Sequence, residues 1–165
     1  MASPVVSGWA EFLSVAATTA GALVGLVFVA LSINLARIIA VPALAGRAAE
    51  TIILLSGALT ETISALIPRL STAQLGWVLL PVALVTWGLP VSIQLRTVLA
   101  HTYYRGTLAL LRAALHQLAA VPAVIAAVCL INLRGDGMDW LAFGTIAAML
   151  LAIVNAWVLL VEIMR

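Results

Sequence analysis

Glu50-Thr-Ile-Ile-Leu-Leu-Ser-Gly-Ala-Leu-Thr-Glu-Thr-Ile-Ser-Ala-Leu-Ile67 is the stretch on which the fold turns. A bilayer core about 30 Å thick takes roughly 20 mostly apolar residues in a helix. This run approaches that length, yet Ser56, Thr60, Glu61, Thr62 and Ser64 dilute its hydrophobicity. Read as a membrane crossing, it is the second of five. Read as a surface segment, it leaves four.

The rest of the chain fixes the solvent. The 165 residues are 65% hydrophobic and 8% charged, with a mean hydropathy of +1.23. A soluble domain has about 25% charged and about 45–50% apolar residues. A chain this apolar cannot cover a water-facing surface, which excludes a soluble enzyme, a DNA-binding domain and a disordered regulator. It reads as one all-α domain over residues 1–165, with the lipid bilayer as its first partner.

Four other stretches have the length and composition of spans: about 12–36, 75–95, 112–133 and 140–162, beside 50–67. Loop charge arbitrates between five and four. With five spans, Arg37, Arg47, Arg96, Arg105, Arg112 and Arg165 fall on one side, and only Arg69 and Arg134 on the other. This split follows the positive-inside rule and sets the N-terminus outside and the C-terminus in the cytoplasm. Without the second crossing the split is even, so five spans is the better reading. Trp9, Trp77 and Trp140 then lie near the outer interface, and Tyr103, Tyr104 and Trp157 near the inner one. The Arg-Gly-Asp-Gly-Met-Asp run at 134–139 reads as a turn.

All eight basic residues are arginine. Without lysine there is no Schiff-base chemistry and no P-loop phosphate site. The arginines are too scattered for a nucleic-acid surface. Cys129 is the single cysteine, so no internal disulfide forms. Two histidines and one cysteine do not build a usual zinc site. Ser56 lacks the preceding glycine of a rhomboid-type nucleophile motif, and Asp136 and Asp139 share one loop. No catalytic residue, metal or cofactor is expected, and the chain does not read as an enzyme.

What remains is polar residues inside apolar helices. Ser14, Thr18, Gly21, Gly25, Phe28 and Ser32 recur at alternating four and three, one face of the first helix. Gly21 and Gly25 make a small-xxx-small packing pair, and the same face reads alternatively as a wetted wall. Glu50, Leu54, Gly57, Glu61, Ser64 and Pro68 form a matching stripe on the second. Glu50, near Arg47, reads as a solvated charge at a helix start. Glu61 falls near mid-span, where a charged carboxylate costs on the order of 2.5–3.5 kcal/mol. It must be protonated, paired or facing water. The bland alternative is a hydrogen-bonded carboxyl that fixes helix packing, with Gly21 at similar depth making room for it.

A second polar layer gathers toward the cytoplasmic side. Asn34, Gln94, His116, Gln117 and Asn155 come to similar depth, roughly 7–15 Å from the midplane at about 1.5 Å rise per residue. Arg112, one turn before His116, is expected to snorkel to the interface. His116 reads either as a packing residue or as a proton relay. His101 reads as solvated. Pro81, Pro90 and Pro122 can kink their helices.

The run Ala20-Gly-Ala-Leu-Val-Gly-Leu-Val-Phe-Val-Ala-Leu-Ser-Ile-Asn-Leu-Ala-Arg37, with Pro42 and Gly46-Arg-Ala-Ala-Glu50, resembles the opening of small uncharacterised polytopic membrane proteins of actinobacteria. The resemblance covers about a quarter of the chain. It implies a bacterial cytoplasmic membrane and carries over no functional residue.

The expected function is a homo-oligomeric channel for protons or small cations. Glu61 would supply the protonatable or field-setting group, with Ser14, Thr18, Ser32, Thr60 and Ser64 as wetted wall. Arg112, His116 and Asn155 would form an inner constriction, with Gln94 and Asn34 in the same layer. Gly21, Gly25, Gly57, Gly144 and Ala148 are the expected packing positions. The small-residue seam Gly144, Ala148, Ala152 and Ala156 is expected to serve association between copies. The alternative is a non-catalytic accessory subunit that binds a membrane-protein partner.

Overall fold

A computed structural model describes residues 4–100 and 107–164. His101, Tyr103, Tyr104, Arg105 and Arg165 lie outside the described residues. Within them the chain is all-helical: α1 (Pro4–Ser7), α2 (Ala10–Ile33), α3 (Leu35–Ala40), α4 (Pro42–Ala65), α5 (Thr72–Ala100), α6 (Thr107–Ile131) and α7 (Gly137–Met164). Four segments, Ala10–Ile33, Thr72–Arg96, Leu110–Ile131 and Gly137–Val161, are long and apolar enough to cross a membrane. The chain is a multi-pass membrane protein.

The helix ends follow local chemistry. Pro42 opens α4 at a position where its missing N–H costs nothing. Its ring forces Val41 into extended backbone (φ −122°, ψ 104°), which separates α4 from α3. Ser71 and Gln74 form a reciprocal capping box at the start of α5. The Ser71 N–H donates to Gln74 Oε1 at 2.9 Å, and the Gln74 N–H donates to Ser71 Oγ at 3.3 Å. At the end of α6, Leu133 takes a left-handed conformation (φ 55°). The Leu133 N–H reaches the Leu130 carbonyl and the Arg134 N–H the Cys129 carbonyl, a Schellman closure made without glycine. The expected turn follows, and α7 begins at Gly137. Pro81 and Pro90 sit inside α5 and Pro122 inside α6, and neither helix is broken.

The five long helices run alternately up and down. Leu13 near the start of α2 shares a cluster with Ala65 at the end of α4, Leu75 and Leu79 at the start of α5, Ala126, Ala127 and Leu130 late in α6, and Leu141 early in α7. At the other end Ile38, Ala48 and Leu159 pack together. The most polar long helix is the hub. α4 packs on α2, α5 and α7, whereas α2 barely touches α7. Buried side chains therefore occur on several sides of α4: Glu50, Thr51, Leu54, Leu55, Ala58, Glu61, Thr62 and Ala65. Polar residues concentrate in the helix that other helices shield from lipid.

Small residues set the close approaches. A Cβ on Gly76 would lie 2.7 Å from the Ala127 carbonyl oxygen and from the Ile131 nitrogen, so α5 and α6 touch backbone to backbone there. Gly57 abuts the Thr86 side chain, and Gly144 abuts Pro122 and Ala123. The seam on α7 is therefore spent inside the chain rather than kept for association. Gly144, Ala148 and Ala152 are buried, the last two against α4 and its neighbours. A Cβ on Gly21 would meet Leu59 at 3.7 Å, so this glycine faces Leu59 rather than making room for Glu61, while a Cβ on Gly25 would meet nothing within 4 Å.

Candidate functional site

Glu50 and Glu61 stand eleven residues apart on α4, close to three full turns, so they share one helix face. Between them on that face, Leu54 and Ala58 pack with Ala119, Ala120 and Ala148 into a dry layer. The two acids are therefore two buried levels, about 16 Å apart along the helix at 1.5 Å per residue.

At the Glu50 level the structure overturns the solvated-charge reading. The Glu50 residue is 2% exposed. Arg112 reaches across from α6 rather than snorkelling away: its Nε donates to Glu50 Oε2 at 3.1 Å, and its Nη2 lies 2.8 Å from Oε1. The second contact is misaligned for a hydrogen bond and acts through charge, so Oε1 keeps a free acceptor direction. His116, also 2% exposed, follows Arg112 by one turn. Its Nε2 lies 3.3 Å from the Trp87 carbonyl on α5. A carbonyl only accepts, so Nε2 is the donor in this contact, and Nδ1 is buried without a partner. The Trp87 indole N–H donates to Gln117 Oε1 at 2.7 Å, which ties α5 to α6 a second time.

These groups border a cavity of about 310 Å³ between α4, α6 and α7, lined by Arg47, Glu50, Arg112, His116 and Asn155 with apolar neighbours. Two of the five residues placed at that depth, His116 and Asn155, thus meet here, joined by Arg112. Gln94 and Asn34 do not border it. Gln94 Nε2 is buried without a partner, and Asn34 Nδ2 bonds the Ala30 carbonyl. Glu50 was legible as a member, since it falls at the same end of its helix as Arg112 and has the opposite charge.

At the upper level Glu61 is 3% exposed. Antiparallel register gives its neighbour on α7: Ala58 packs with Ala148, and Ala65 belongs to the cluster of Leu141. Glu61 therefore comes level with Thr145, itself 1% exposed. Glu61 Oε1 and Thr145 Oγ1 both lack a hydrogen-bond partner. Ser64 is buried one turn further on.

The remaining path residues lie elsewhere. Ser14, Thr18, Ser32 and Thr60 are exposed, and their hydroxyls donate to the carbonyls of Ala10, Ser14, Phe28 and Ser56, each four residues back. They do not join Glu61 within the chain. Among the described residues no three His, Cys, Asp or Glu side chains gather as metal ligands. Comparison of the chain with protein-family models, with curated proteins and with solved structures yields no match.

Proposed function

We propose that this is a five-span protein of a bacterial cytoplasmic membrane, N-terminus outside and C-terminus cytoplasmic, that passes protons or small cations along the buried face of α4. The observation that carries the reading is the pair of buried carboxylates on one face of the hub helix. Burying an ionisable group inside a membrane bundle is expensive and marks a transport path by default. The crossing of α4 is supported by its direction: it starts beside the end of α2 and ends beside the start of α5. The orientation is supported by Arg37, Arg47, Arg96 and Arg112 at one end against Arg69 and Arg134 at the other.

In this reading the Glu50, Arg112 and His116 cavity is the inner vestibule, and Glu61 with Thr145 is the outer relay. The Leu54 and Ala58 layer is a gate that conducts when water enters between small side chains. The face of α2 carrying Ser14, Thr18, Gly25 and Ser32 points outward, and the open Gly25 permits close helix approach between copies in a homo-oligomer. That outward face equally favours a second reading, an accessory subunit docked on a larger membrane protein.

Flux in proteoliposomes separates them. Wild-type protein is expected to carry protons or cations under a voltage, and Glu61→Gln to abolish the flux or change its selectivity. Folded wild-type protein with no flux at either polarity would sink the conduction reading and leave the accessory role, which copurification with a partner then tests.

A further inference from the structure

Between the two acid levels on α4, the layer of Leu54, Ala58, Ala119, Ala120 and Ala148 presents only hydrocarbon side chains, all of them buried. What can cross it depends on what stands on either side. At the inner side the Glu50 carboxylate is already held by the Arg112 guanidinium, so it offers an arriving metal cation no uncommitted charge. At the outer side Glu61 and Thr145 come level, with Glu61 Oε1 and Thr145 Oγ1 both buried and unpaired. The other buried hydroxyls nearby are spread along the bundle. Thr62 donates to the carbonyls of Ala58 and Leu59 on its own helix. Ser64 lies three residues further on, about 4.5 Å at 1.5 Å per residue. Thr86 lies against Gly57, four residues back, about 6 Å by the same rise.

That arrangement separates metal cations from protons. Hard metal cations keep roughly six or more oxygens around them, and a filter that passes them replaces the water shell with rings of oxygens. Here one carboxyl and one hydroxyl stand at the depth of Glu61, beyond a layer whose side chains carry no oxygen. A sodium or potassium ion would lose its water among hydrocarbon side chains before reaching two ligands. A proton needs a single acceptor and travels along one file of water. Taken up by a Glu61 oxygen, it leaves its water molecule neutral and turns the carboxylate into an uncharged acid, which costs far less to bury than an anion. The acid then returns the proton to water on the far side, and Thr145, able both to accept and to donate, can hand it on. Given conduction along α4, on which this rests, we infer that the permeant species is the proton, carried singly on the Glu61 carboxyl with Thr145 at its level, and that sodium and potassium are excluded.

Reversal potentials test this with purified full-length chain in planar bilayers. Under a tenfold proton gradient, with equal sodium and potassium on both sides, the wild-type current is expected to reverse about 59 mV from zero, the worth of a tenfold ratio for one charge. A tenfold sodium or potassium gradient at equal pH should leave the reversal at zero. Glu61→Gln, which keeps the shape and removes the proton site, should abolish the proton current. Glu61→Asp, which keeps the carboxyl, should retain a current with the same reversal. Reversal that follows sodium or potassium overturns proton selectivity and leaves conduction standing. A proton current undiminished in Glu61→Gln overturns the assignment to Glu61. Folded wild type that passes no current at all removes conduction itself, and proton selectivity with it.

Discussion

Replacing Arg112 with leucine should cost far more than replacing the glutamate it faces. The Glu50 side chain is 3% exposed and the Arg112 side chain 24%. Arg112→Leu strands a carboxylate inside the bundle, and breaking a buried pair from one side costs about 3–5 kcal/mol. Arg47 stands one turn away on α4, which sets the expectation at the lower end, about 3 kcal/mol. Glu50→Leu leaves instead an arginine that is already partly exposed and has a long stem with which to reach water. The expected cost there is about 1 kcal/mol. The double replacement removes both desolvation penalties at once, and exchanging a buried pair for apolar residues is often neutral or better. A coupling of about 4 kcal/mol should then appear across the cycle. Unfolding in mixed micelles with increasing SDS, followed by tryptophan fluorescence, measures it. Trp87 reports directly, because it is bonded to both His116 and Gln117. Equal costs for the two single replacements, or an Arg112→Leu cost under about 1 kcal/mol, would mean that Glu50 meets water after all.

Three further outcomes are expected. Gly76→Ala should destabilise by about 1–3 kcal/mol, because the added methyl meets backbone that cannot rotate away. Gly25→Ala, with open space around it, should be neutral or gain up to about 1 kcal/mol from helix propensity, and the same SDS titration compares them. In a Cys129→Ser background, Ser71→Cys should label with a membrane-impermeant maleimide from outside intact cells, and Arg37→Cys only after lysis. The reverse pattern would invert the proposed orientation.

Most of the helices were legible because length and apolarity in lipid are nearly sufficient to specify a helix. The observed α2, α5, α6 and α7 contain most of the apolar runs read from the sequence. The role of α4 was not legible. Its serines, threonines and glutamates make it the least apolar of the long helices, and the same residues mark it as the hub once its neighbours are known. Hydropathy scores a helix against lipid, whereas most of this one is buried against α2, α5 and α7.

The hydroxyl stripe on α2 misled for a related reason. Ser14, Thr18 and Ser32 satisfy themselves on their own helix, so spacing alone cannot tell an inward stripe from an outward one. Depth counting did gather His116 and Asn155, because antiparallel helices of similar length align their levels, and Arg112 came with His116 by its one-turn spacing. It did not add Glu50, because a charge at a helix start was assigned to the dipole rather than to a partner on another helix.

The two acids differ in a way that bears on function. Structural polar glue is useful when every member has its partner, and a half-satisfied buried network is worse than an apolar core. Glu50 comes closer to that condition, with the Arg112 guanidinium against both of its oxygens, one by hydrogen bond and one by charge. Glu61 does not: one of its carboxylate oxygens is unpaired, and so is the Thr145 hydroxyl at the same level. An apolar side chain at position 61 would bury no unpaired oxygen. A carboxyl kept there without a fixed partner fits a group that changes partner or protonation during work better than one that holds two helices together. That asymmetry is why Glu61, and not the better-bonded Glu50, is the residue on which the flux experiment turns.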